Sequence, residues 1–116
     1  MKSMPIAALL LSLCSVSAFA ADLPANQAKE MHQELATSMK TMQVDMQKGV
    51  KSNDPDIAFA AGMLPHHVGA VKMAQIELKY GKNPQMRELA KNIIASQDQQ
   101  IKQMQTWLEA HGENQQ

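Results

Sequence analysis

This chain of 116 residues has one cysteine, four aromatic side chains, no excess of either charge and a single short apolar run near its start. Each scarcity excludes something. Cys14 alone cannot make a disulfide framework or a cysteine zinc site. Eleven basic residues against eleven acidic ones leave no electrostatic footprint for nucleic acid or an anionic membrane. The apolar run, Ile6 to Val16, is too short to cross a bilayer. With so few aromatics, packing must rest on aliphatic and methionine side chains. No Ser-His-Asp grouping, glycine-rich phosphate loop or Cys-x-x-Cys-His sequence is present. No Glu is followed by His three residues later, as a bundle di-iron site requires. Carboxylates are scattered over expected outer faces, so the sequence argues for a binding protein and against an enzyme.

The first twenty residues have the grammar of a cleavable signal peptide. Lys2 supplies the positive end, Ile6 to Val16 the apolar segment, and Ala18-Phe19-Ala20 the A-x-A cleavage site. Leu13 stands before Cys14 where a lipoprotein signal needs a small residue. The expectation is residues 1–20 as signal and 21–116 as one exported domain, in the periplasm. Cleavage removes the only cysteine and leaves a net charge of about −1, since basic residues fall from 11 to 10.

What remains reads as all-α. The first helix is predicted from about Pro24 to Lys48, with Pro24 in the first turn and Gly49 at the C′ position. Its apolar stripe, Ala28, Met31, Leu35, Met39, Met42 and Met46, recurs at spacings of three and four. Asp54-Pro55 opens a second helix that closes at Gly81; Asn83-Pro84 opens a third that ends at Gly112. Linkers this short predict antiparallel neighbours, an up-down bundle of three long helices. Three helices leave an open groove, which a homodimer would close. Pro65 lies inside the second helix and predicts a kink there.

The chemistry gathers beside that proline. Met63, His66, Ala70 and Met73 share one helical face, with His67 about 100° around from His66. Imidazole with thioether is a soft donor set that suits Cu(I), and Ag(I), far better than Mg, Ca or Mn. The first helix adds Met39, Met42 and Met46. Methionine is ordinary core filler, yet leucine would fill most of those sites with better-defined packing. On the third helix Met104 is the chosen sulfur ligand. Gln97 and Gln100 on the apolar face could orient the free nitrogen of a metal-bound histidine. His32 reads as a surface residue, and His111 as a weaker candidate in the last turn.

Phe59-x3-Met63-x-Pro65-His66-His67-x2-Ala70-x2-Met73-Ala74, Gly81, then Leu89-Ala90-x2-Ile93-x3-Gln97-x3-Ile101-x2-Met104-x2-Trp107-Leu108 together resemble the ferritin-like bundle family catalogued as domain of unknown function 305. The resemblance implies a ferritin-like four-helix-bundle type of fold. It also implies kinship with periplasmic copper-binding and copper-tolerance proteins that use Met and His ligands. Gln100 departs from the pattern, standing where the family often has an acidic residue. The expected function is sequestration or handover of Cu(I), with a copper exporter or another copper-handling protein as partner. Two other readings stay open at this point. One is a b-type haem bundle with Met and His axial ligands; the other is a metal-free, Met-rich interaction protein with a chaperone-like groove.

Overall fold

A computed structural model of the protein describes residues 22–112, so the expected signal segment 1–20 and the last four residues lie outside the described residues. Three helices follow one another: α1 (Ala25–Gly49), α2 (Pro55–Tyr80) and α3 (Pro84–His111). Among the described residues there is no strand. The helix starts follow from side-chain caps. Asp54 accepts from the Asp56 and Ile57 amides at 2.8 and 3.2 Å, and Pro55 occupies the first turn, where no amide hydrogen is needed. Asn83 repeats the arrangement with the Gln85 and Met86 amides at 3.0 and 3.1 Å, ahead of Pro84. Pro24 sits just outside α1 as its N-cap, in extended conformation, and not in the first turn.

The glycines end the helices for a different reason from the expected one. Among the described residues no glycine has a positive φ. Gly49 is the last helical residue of α1, and its role is close approach. A Cβ there would stand 2.1 Å from the carbonyl oxygen of Ala61 on α2. Pro65 has no N–H to donate to that same carbonyl. A carbonyl left without its helical donor is thus met by the Cα hydrogen of Gly49, a weak but geometrically specific contact. α2 itself runs through Pro65 as one helix.

The architecture is an open, antiparallel layer with α2 in the middle. α2 packs against α1 on one side and α3 on the other, while α1 and α3 make no close backbone approach among the described residues. A core is nearly missing. Ala60, Ala74, Ile76 and Ala90 are the buried apolar side chains, none of them fully enclosed, and α1 contributes no buried residue at all. The expectation that methionine side chains pack the interior is therefore corrected: the periodicity holds, but within one chain Met31, Met42 and Met46 are only half-buried and Met39 is exposed.

Two seams join the layer. Between α1 and α2, Glu34 of α1 takes a salt bridge from Lys79 and a 2.8 Å hydrogen bond from the Tyr80 hydroxyl. Met42 packs on Gly69, and Val50 on Gly62. Between α2 and α3, the three small side chains Ala60, Ala74 and Ala90 allow close packing, and Arg87 donates to the carbonyls of Leu78 and Gly81 at 2.8 and 3.0 Å.

Candidate metal centre

The helical period and these two seams place the donors. Looking along α2, one side of the layer is a groove of about 950 Å³ floored by Leu64, Val68 and Ile76 and rimmed by Glu34, Asp45 and Lys72. The opposite side carries Met63, His66 and Met73 of α2, at spacings of three and seven. By the same reckoning Met39 and Met46 of α1 and Met104 of α3 project to that opposite side. Met42 is the exception, wedged in the seam against Gly69.

Lengthwise, the donors fall into two groups. The antiparallel register marked by Glu34–Lys79, Met42–Gly69 and Val50–Gly62 sets Met46 level with His66, and Met39 level with Met73. His66 and Met73 are about 10 Å apart along the axis. One group is thus Met46, Met63, His66 and His67; the other is Met39 and Met73, both about half exposed at 54% and 51%. The contact between His67 and Gln97 fixes the register of α3, which puts Ile101 opposite Met63 and Met104 a turn further on, opposite Ala60.

The adjacent histidines face different helices. Their rings stand 6.0 Å apart, edge to face at 72°. His67 is half-buried and its Nδ1 donates to Oε1 of Gln97 on α3. That bond fixes the tautomer and the ring plane, and leaves Nε2 with its lone pair free to ligate, the usual arrangement behind a metal-bound imidazole. His66 is exposed on the thioether side. Gln97 therefore has the orienting position expected of it, whereas Gln100 is exposed and no hydrogen bond joins it to either histidine.

His32 is exposed on α1. His111 stacks on Trp107 at 4.4 Å, and its Nδ1 donates to the Trp107 carbonyl at 2.8 Å, which holds the ring against the last turns of α3. Sequence reasoning missed the charged clamp on α1. The Lys79 ammonium beside Glu34, helped by the Tyr80 hydroxyl, holds the Glu34 carboxyl below its ordinary value. In return the Glu34 carboxylate holds Lys79 above its own. Tyr80 is raised too, first by partial burial and then by its bond to Glu34. Lys102 is raised by Asp98 one turn earlier on α3, at 2.9 Å. An acidic residue at 34 and Lys-Tyr at 79–80 carry no pairing signal in sequence, because they are 45 positions apart.

Chemically, this is a soft donor set. Among the described residues no three His, Cys, Asp or Glu side chains converge to hold an ion. The donor types on this side are imidazole and neutral thioether, which are soft by character. None of the described helices is long and apolar enough to cross a membrane.

An all-α layer with an imidazole–thioether face is the class of protein that fold and site define. The particular family follows from comparison: a family model described as domain of unknown function 305 matches residues 56–116, more than half of the chain, and the protein belongs to that family. The match takes in α2 and α3 and leaves α1 outside. An uncharacterised protein of Acanthamoeba polyphaga mimivirus, L153, is 35% identical over 54 residues, or 47% of this chain. The aligned stretch spans only 36% of that viral protein's length.

Proposed function

We propose that this protein is exported to the periplasm after removal of residues 1–20, binds Cu(I) there as cargo, and sequesters it or hands it on, contributing to copper tolerance. Ag(I) is the soft analogue the same donors would accept. What supports the reading is that helical period and register set His66, Met46 and Met63 level with one another on one side of the layer, beside a His67 whose ring bonds Gln97. Thioethers do not titrate, so they go on ligating where protons compete for imidazole. They favour the reduced ion, and they survive an oxidising compartment that would consume a thiol site. The role is binding and transfer to a copper exporter or another copper-handling protein, without turnover.

We read the layer as part of a ferritin-like bundle, with α2 bent at Pro65 so that the turn carrying the two histidines leans toward the thioethers. Gly62 and Gly69 on either side let Met42 of α1, and Val50 just after α1, pack close to that turn.

The test is an anaerobic Cu(I) titration against a chromophoric chelator, run beside the His66→Ala/His67→Ala variant. Tight binding that weakens at least about tenfold in the variant is expected, the scale on which losing a ligand or its support is felt. A wild-type protein that takes no copper from even a weak chelator would sink the reading.

A further inference from the structure

The thioether side of the layer exposes several large apolar side chains. Phe59 is 68% exposed there, in line with His66 and Met73 along α2. Val50 of α1 and Leu89 of α3, each about half exposed, extend the same surface at either end. With Met39 and Met73, these side chains present on the order of 500 Å² of apolar area, taking ~180 Å² for a fully exposed large side chain. That is at the upper end of what a monomer leaves open. The half-buried Met46, Met63, Met104 and Trp107 add to it, toward the ~800 Å² per partner of a standard interface.

We propose that a second copy of this chain covers this face, in an isologous contact that lays the two α2 surfaces together and encloses His66 and the thioethers of both chains between them.

Three observations choose that occupant. The first is the missing core. Four small or medium apolar side chains, none fully enclosed, cannot offset the conformational entropy of ordering three long helices. The covering chain must therefore be present whenever this one folds, and a second copy always is. The second is charge. On this side of α2 the charged groups are Asp56 and Glu77, in line with Met63 and Ala70 at spacings of seven and set toward the two ends of the helix, and the flanks carry the amides Gln43, Gln47, Gln100 and Gln103, with Lys40 beside them on α1. Between those two carboxylates the face carries Phe59, Met63, His66, Ala70 and Met73, with no carboxylate, lysine or arginine, and such a stretch fits the centre of an interface. It also lacks the basic rim that an anionic membrane would require. The third is the contrast with the groove on the other side. Its rim is charged and its floor less exposed, with Val68 at 38%. Pairing through an identical patch gives a closed dimer, the commonest symmetric assembly.

The proposal stands without copper, and its test separates the two. Molar mass of the purified, chelator-treated protein is measured by sedimentation equilibrium, together with Phe59→Glu on the thioether side and Val68→Glu in the groove. Wild type and Val68→Glu are expected at twice the chain mass, and Phe59→Glu at the chain mass. A wild type at any mass other than two chains overturns the proposal, as does dissociation by Val68→Glu in place of Phe59→Glu. Should Phe59→Glu not fold, the melting temperature of the wild type decides. A rise with protein concentration supports the dimer, and a flat response overturns it. A monomer that still takes Cu(I) removes this proposal alone, whereas a dimer that takes none removes the copper reading alone.

Discussion

The two seams of the layer are built on different principles. The α2–α3 seam is small and apolar: Ala60, Ala74 and Ala90, the last only 3% exposed, let two backbones approach, and Arg87 and the His67–Gln97 bond add directional contacts. The α1–α2 seam has no buried residue from α1. It depends on a charged clamp at one end, a methionine on a glycine in the middle and a backbone contact at Gly49 on the other end. The family match covers the first seam and stops short of α1. The comparison separates the hairpin matched by the family model, which carries His66 and His67 with Met63, Met73 and Met104, from a flanking helix that carries Met39, Met42 and Met46. α1 is thereby the element through which donor number could vary while the hairpin stays intact.

The largest effect that would break this comparison is expected at Gly49. Gly49→Ala drives a methyl group into the Ala61 carbonyl, against backbone that cannot swing away, and should cost about 2–3 kcal/mol by chemical denaturation. Amide exchange would show the loss concentrated in α1, with the α2–α3 seam still protected. An unchanged midpoint would mean the α1–α2 approach is looser than described. Gln97→Ala comes next and acts on the other seam. Copper affinity should fall about tenfold as the His67 ring loses its orienting bond, while stability changes by about 1 kcal/mol or less. Equal affinity in competition titrations would leave His67 without a ligating role.

The smallest effect is electrostatic. Glu34 has a lowered pKa, so its clamp stabilises α1 above the ordinary carboxylate range and releases it as pH falls through the depressed value. Lys79 is raised, so its share persists below the ordinary lysine range and is lost only as pH climbs through the elevated value. A thermal-melt series over pH should show a shallow acid limb that Glu34→Gln flattens. The pair is exposed, so the limb should also shrink with added salt.

Much of the fold was legible because the helix starts are written locally. Asp54-Pro55 and Asn83-Pro84 each combine a cap acceptor with a residue that needs no donor, and both form as the spacing predicts. Helix faces were legible too, since a 3.6-residue period needs no partner to be seen. What covers a face was not. The α1 stripe of Met39, Met42 and Met46 reads as core in any single sequence, yet Met42 packs on Gly69 in the seam while Met39 stays 54% exposed. Gly49 was rightly placed at a helix end and wrongly explained: a left-handed cap and a backbone crossing select the same residue. Gln97 could be suspected from its place on the apolar face. Its choice of His67 over His66 depends on which side α3 packs, and that is a tertiary fact.

Arg87 has one more consequence. Its guanidinium bridges the last turn of α2 and the connection to α3, with partners only six and nine residues back along the chain. Together with the Asn83 cap, it closes the hairpin through short-range contacts, the kind whose closure costs little chain entropy and forms early. During synthesis α1 leaves the ribosome first but has no seam to join until α2 follows it. The order of emergence and the order of assembly therefore run in opposite directions, and the sulfur-bearing helix is the one that waits.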